Sequence, residues 1–287
     1  MSTTYLQRIV KGMATTPQEW NEHLVTFHRR FENATCGPFS LMRTAHGETS
    51  YQVLARRTLE MVPNAQSILD LGCGEGFLLR KLRRLRGPRA ELVGIDLSDA
   101  EIERARALND DITFICGDAR SADLGAARFD AVVSHLVLMI ASEPEAMLRA
   151  VHGSLRASGY LLAMVQDFPV HESFGALLTA AIDELKRTYQ SFLPEIPNRV
   201  RFEDADELGA LLDASGFTMI DYERYEVRAW FTPAEVWAFM QRIYHYGLFE
   251  SPVRERIQAV TEAAMQPMIE DGRFEVVFPL RLLIARA

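Results

Sequence analysis

The run Ser67-Ile68-Leu69-Asp70-Leu71-Gly72-Cys73-Gly74-Glu75-Gly76-Phe77 constrains this chain more than any other stretch. Its apolar half predicts a buried strand. Three glycines at alternate positions predict a tight turn, and Phe77 opens a helix. Each glycine has a mechanical use: one opens the turn, one lets a ligand approach bare backbone, and one lets helix pack on strand. Such a unit predicts a site for a nucleotide-type cofactor.

Two cofactors compete for it. A dinucleotide places a pyrophosphate at the helix N-terminus, where N–H groups and the helix dipole favour an anion. Its usual spacing is G-x-G-x-x-G, whereas Gly72, Gly74 and Gly76 give G-x-G-x-G. Asp70 and Glu75 flank the turn, and carboxylates repel a pyrophosphate. S-adenosylmethionine has no phosphate and carries an ammonium and a sulfonium, so acids and carbonyls suit it.

The downstream order agrees. Glu91-Leu92-Val93-Gly94-Ile95-Asp96 predicts a second strand ending in an acid, about 20–25 residues past the glycines, where such an acid meets ribose hydroxyls. Ser98-x-x-Glu101 has the pattern of a capping box. Ile112 to Ala119 predicts a third strand ending at Asp118, Phe129 to Ser134 a fourth, and Tyr160 to Val165 a fifth, entered through Gly159. Over roughly residues 65–167 the chain resembles the class I S-adenosylmethionine-dependent methyltransferases. The resemblance implies an α/β fold with a Rossmann-like, mostly parallel seven-stranded sheet flanked by helices. It implies that Asp70, Gly72, Gly74 and Gly76 hold the methionine part, Asp96 with Leu97 the ribose, and Asp118 with Ala119 the adenine. Ser134 and His135 would line the far side. Cys73 and Cys116 read as small packing residues.

Outside this core, Pro17 to Phe31 and Ser50 to Val62 predict amphipathic helices, with a turn-rich loop from Asn33 to Ser40 between them. Phe174 to Phe192 predicts a long helix, followed by a Pro194–Pro197 loop; Phe202 to Ala214 predicts another, stopped by Gly216. Phe217 to Trp230 predicts a sixth strand and Arg273 to Arg286 the last. Between these two lie Thr232-Pro233-Ala234-Glu235, a capping box with proline at the first helical position, and the aromatics Trp237, Phe239, Tyr244, Tyr246 and Phe249. The expected organisation is a helical N-terminal cap over 1–66, a donor-binding core over 67–167, and 168–287 completing the sheet, with cap insertions near 168–200 and 230–272. The aromatic group serves either the core of that cap or a substrate box. Tyr51 is expected to close over the sulfonium, and His171 and Tyr246 to meet the acceptor.

Composition narrows the class of substrate. The net charge of −8 over 287 residues gives a nucleic acid no basic face. The cluster Arg80, Lys81, Arg83, Arg84, Arg86 and Arg89 is interleaved with Leu78, Leu82 and Leu85 at helical spacing, which predicts a solvated helix face. Three cysteines show neither a disulfide framework nor metal spacing. Met1 to Met13 lacks the apolar core of a signal peptide, and Ala131 to Ile140 is too short to span a bilayer. A cytoplasmic enzyme is expected, acting on a small, apolar or aromatic acceptor, with no metal, membrane or nucleic-acid partner. Its candidate bases are His135 and Asp167, although His135 also fits a core histidine bonded to backbone. The alternatives are an NAD-dependent oxidoreductase with an atypical glycine loop, or a protein that binds the donor without transferring its methyl group.

Overall fold

Seven strands form one sheet in the order β3-β2-β1-β4-β5-β7-β6. The computed structural model describes residues 4–193, 196–197, 205–243 and 246–287. The expected helix start at Phe202, the Pro194 turn and Tyr244 lie outside the described residues.

In chain order the elements are α1 (Tyr5–Ile9), α2 (Pro17–Arg30), α3 (Cys36–Phe39), α4 (Ser50–Met61), β1 (Ser67–Leu71), α5 (Phe77–Arg86), β2 (Glu91–Asp96), α6 (Asp99–Leu108), β3 (Thr113–Cys116) and β4 (Phe129–His135). Then follow α7 (Pro144–Ser154), β5 (Leu155–Gln166), α8 (Glu172–Thr188), α9 (Ala205–Ala214), β6 (Thr218–Phe231), α10 (Pro233–Met240), α11 (Ser251–Met265) and β7 (Phe274–Arg286). The expected strands match to within a residue or two, except β3, which stops at Cys116, and β5, which begins at Leu155, five residues before the expected start.

Strands β1 to β5 pair in parallel, and β7 runs antiparallel to both β5 and β6. Both faces of the sheet are covered, so β1 is buried along its whole length, as parallel strands are. Side chains alternate between faces. Ile68, Leu92, Val133, Leu162 and Leu282 pack in the core that includes α4, α5, α8, α10 and α11. Leu69, Val93, Val132, Leu161 and Leu283 pack in the core that includes α7 and α9.

The insertions after β5 and β6 thicken the first of these layers. Phe174 of α8 stacks on Phe239 of α10 at 5.4 Å, with Phe278 of β7 beside them. Phe249 packs on Tyr189 and Phe192. Phe239, Tyr246 and Phe249 are therefore core. The arginines of α5 are less solvated than expected: Arg83 donates to the carbonyls of Gly87 and Ala90 at 2.9 and 2.8 Å, and Arg86 to those of Pro63 and Ala65.

At the antiparallel edge, Asp167 is paired with Arg281 of β7 and, at 3.1 Å, with Arg224 of β6. Both Asp167 and Arg281 are buried, and the Arg281 guanidinium lies 4.1 Å from the centre of the Tyr222 ring. Removing one partner of a buried pair costs about 3–5 kcal/mol. Asp167→Ala should lower the urea unfolding free energy by that order while leaving ligand affinity in the folded protein near wild type.

Candidate active site

The glycine turn is fixed from both sides. Gly72 N and Cys73 N donate to Ile95 O of β2 at 2.8 and 3.0 Å. Gly72 has φ +70°, and a Cβ there would lie 2.3 Å from Val137 Cγ2, just beyond β4. Gly76 caps α5 at φ +77°, and its Cβ would meet the Phe114 ring at 2.9 Å. Only glycine satisfies both the positive φ and the contact.

Sheet order reverses between β1 and β4, and ligands of open α/β sheets bind outside the carboxyl ends at such a point. A cavity of about 170 Å³ opens there. Among its lining residues are Tyr51, Asp70, Gly72, Gly74, Asp96, Leu97, Asp118, Ala119 and His135. Its outer wall comes from α2 and from residues 33–36. Trp20, fully buried, donates from Nε1 to Ile140 O at 2.7 Å and ties α2 to the segment after β4.

Six carboxylates line this cavity: Asp70, Glu75, Asp96, Glu101, Asp118 and Glu143. Glu75 is paired with Arg80 at 2.7 Å and Glu101 with Arg104 at 2.8 Å. Asp118 is gripped by Arg120, which also reaches Glu143; Arg120 holds the Asp118 pKa below its usual value. Asp96 accepts from Gly74 N at 2.9 Å and Ser98 N at 2.8 Å. Burial raises its pKa nonetheless, and burial with the nearby Asp96 raises that of Asp70 well above the ordinary range.

Glu101 is a residue whose site role the sequence hides. Ser98 caps α6, accepting from Glu101 N at 3.4 Å. The reciprocal half of the capping box is not made, because the Glu101 carboxylate faces His28 Nδ1 of α2 at 3.3 Å. His28, Arg120 and Glu143 likewise carried no periodic or motif signal. Cys36 also lines the cavity, and burial, then Glu75 and Glu101, pushes its thiol up to about 12, which suits packing rather than nucleophilic use.

His135 is buried. Its Nε2 lies 2.8 Å from Ser50 Oγ, Tyr51 stacks on its ring at 3.9 Å, and Phe39 meets it edge-on at 5.7 Å. Nδ1 has no hydrogen-bond partner.

Other expected site residues fall elsewhere. Strand alternation turns Ser134 away from the cavity, and its Oγ donates to Leu71 O at 3.1 Å. Asp167 is committed to the ion pairs described above. His171 is the N-cap of α8, its Nδ1 accepting from Ser173 N at 3.4 Å. Tyr246 is buried in the core, and burial raises its phenol pKa. Among the described residues, none from the segments after β5 or β6 lines the cavity, whereas Asn21, Leu24, Val25, His28 and Tyr51 of the N-terminal segment do.

The family described as methyltransferase domain matches residues 69–163, about a third of the chain, from β1 to β5. These residues form a class I, S-adenosylmethionine-dependent methyltransferase domain. A malonyl-acyl-carrier-protein O-methyltransferase of Anoxybacillus flavithermus is 32% identical over 134 residues, 44% of this chain and 51% of that protein. The chain thus spans about half the length of the curated relatives it matches. In three dimensions it resembles the (4+2)-cyclase SpnF, with a TM-score of 0.57 and 20% identity over 95% of this chain and 97% of that one. It also resembles the 1,6-didemethyltoxoflavin-N1-methyltransferase of Burkholderia thailandensis, solved with S-adenosylhomocysteine (TM-score 0.53, 14% identity, 95% and 91% covered). At these identities the shared property is the fold. No helix among the described residues is long and apolar enough to cross a membrane.

Burial lowers the His135 pKa from 6.5 to about 3. Between those values the unfolded chain binds a proton that the folded one refuses. The stabilisation is complete above the unfolded pKa and is lost as pH falls toward the folded one. The raised pKa of Asp70 acts in the opposite direction, so the His135 part is read as a difference. On going from neutral pH to about 4.5, wild type should lose about 2–3 kcal/mol more unfolding free energy than His135→Gln, measured by urea denaturation.

Proposed function

We propose that this protein transfers a methyl group from S-adenosylmethionine to a small-molecule acceptor. The observation that carries the reading is the charge of the cavity: six carboxylates and a single arginine, itself doubly paired, surround the glycine turn among the described residues. A pyrophosphate is repelled there and a sulfonium with an ammonium is attracted. When bound, the donor supplies an electrophilic methyl group.

In this reading Asp70 and the backbone at Gly72, Gly74 and Gly76 hold the methionine part. The Asp96 carboxylate has about four lone-pair sites, and its two backbone bonds leave capacity for ribose hydroxyls, with Leu97 alongside. Asp118 and Ala119 face the adenine, Arg120 sharing the Asp118 carboxylate. Tyr51, Phe77, Leu136 and Ile140 give the rest of the cavity an apolar wall, which suits an apolar or aromatic acceptor. Residues 1–66 then act as the lid, 67–167 as the donor-binding core, and 168–287 complete the sheet. A cytoplasmic location and a free small-molecule acceptor, rather than nucleic acid, belong to the same proposal, since a net charge of −8 gives a polyanion no general attraction.

Calorimetry should show S-adenosylhomocysteine binding and no response to NAD; tight NAD binding with indifference to S-adenosylhomocysteine would sink the reading. Asp96→Ala removes charge-assisted bonds worth about 1.5–3 kcal/mol each, so donor affinity should fall at least about tenfold with the fold intact. A cyclase of this fold motivates the second reading, a protein that binds the donor without methyl transfer. Labelled methyl appearing in any product of an acceptor panel would remove it.

A further inference from the structure

We propose that the acceptor is an amphipathic acid. Its apolar or aromatic body enters the cavity past Phe77 and Tyr51, and its anionic group, a carboxylate or a phosphate, rests outside on Arg43, Lys81 and Arg84. The proposal rests on the methyl-transfer reading above and names the substrate class for the same site.

These cations lack counter-charge. Helical spacing puts Arg80, Lys81 and Arg84 on one face of α5, and Arg43 comes from the segment before α4. Arg80 is neutralised by Glu75 at 2.7 Å. Arg29, Arg56, Arg128 and Arg156 each meet a carboxylate. Lys81, Arg84 and Arg43 have no ion-pair partner among the described residues. Arg43 Nη1 donates to backbone, to Ser40 O at 2.7 Å and Met42 O at 3.1 Å. A guanidinium has five N–H donors, so this one is held in place with its charge unmet and donors to spare. Burial lowers the Lys81 pKa, and the charges that lower it further are Arg84, Arg43 and Arg80. Cations gathered from two segments repel one another, and an anion reverses the sign of that interaction.

Aromatic rings link the patch to the cavity. Lys81 Nζ lies 4.6 Å from the centre of the half-buried Phe77 ring. Phe77 meets Tyr51 edge-on at 4.8 Å, and Tyr51 stacks on His135 at 3.9 Å. Phe77, Tyr51 and His135 line the cavity, whereas Lys81 and Arg84 do not. The cations thus stand one ring away from the lining. Deeper in, six carboxylates repel an anionic group. A carbon body laid along these rings therefore points its reacting atom toward the donor and its charged end outward.

Scale decides between a small anion and a large one. The net charge of −8 opposes a polyanionic macromolecule over its whole surface. Screening limits the reach of each charge to about 8 Å at physiological salt. A single anionic group resting on the patch feels its three cations rather than the sum over the chain.

Calorimetry on the full chain with S-adenosylhomocysteine bound tests this with two probes of similar shape, phenylbutyrate and phenylbutanol. At low salt the acid should bind about tenfold tighter than the alcohol, the effect of one charge-assisted hydrogen bond, and added salt should erase most of the difference. The triple variant Arg43→Gln, Lys81→Gln, Arg84→Gln should lose that advantage, while its affinities for the alcohol and for S-adenosylhomocysteine stay as in wild type. Arg149→Gln, on α7 at the opposite face of the sheet, should bind the acid as wild type does. An acid that binds no tighter than the alcohol, or does not bind at millimolar concentration, overturns the proposal. So does a triple variant that keeps the preference, or a loss in Arg149→Gln as large as in the triple variant, which would assign the effect to overall charge. Failure of S-adenosylhomocysteine to bind wild type would instead remove the methyl-transfer reading itself.

Discussion

The contact between Gly72 and Val137 is the constraint on which the rest of the site depends. With only hydrogen at that position, the turn leaving β1 approaches the chain leaving β4 to a distance no side chain tolerates, a hypothetical Cβ lying 2.3 Å from Val137 Cγ2. The two strands flank the point where sheet order reverses. Close approach at the base of the crevice lets it widen above, toward α2. The same turn hangs from Ile95 O, so β2 fixes it as well. Asp96 then follows without freedom: it is the next residue, and Gly74 N and Ser98 N fix both its oxygens. Three strand ends are thus set by one glycine and one carbonyl.

Charge in the cavity is deliberately uneven. Glu75, Glu101 and Asp118 each have an arginine. Asp70 and Asp96 have no ion-pair partner among the described residues, and burial raises both. Packing two such groups within reach of one another opposes folding, since each disfavours ionisation of the other. Sites that violate local rules in this way are where function resides. A cationic ligand reverses the sign of the interaction and favours the ionised form of both groups.

The core was legible from sequence because its signals are local. Apolar runs, alternate glycines and strand-terminal acids each declare themselves within about ten residues, and parallel strands buried on both faces leave no amphipathic ambiguity. Asp70, Asp96, Leu97, Asp118, Ala119, Tyr51 and His135 accordingly meet at one cavity. What the sequence hides is long-range. Ser134 differs from His135 by one position, and only the pleat decides which of them faces the ligand. Asp167 follows β5 as a catalytic acid would, yet its fate is set by Arg281, more than a hundred residues away. His171 caps α8 and lies outside the cavity lining. Glu101 shows the reverse case: a local capping pattern is outweighed by Arg104, with His28 beside it, because a buried carboxylate gains more from a guanidinium than from a backbone N–H.

The outer wall of the cavity is also long-range, and magnitudes decide where it is anchored. Arg29 of α2 meets Asp99 of α6 in a two-pronged pair, but both are about half exposed, 58% and 48%, and such pairs contribute about 0–1 kcal/mol. Trp20, fully buried and hydrogen-bonded to Ile140 O, contributes several times that through its apolar area alone, at about 25 cal/mol per Å². Helix α2 is therefore held at its N-terminal half against the chain that follows β4. Its C-terminal half is held as well, by Phe27, also fully buried, where His28 and the Asn33–Cys36 loop line the cavity. A helix anchored in both halves by buried aromatic side chains gives the cavity a firm wall, of the kind that excludes water from a bound ligand.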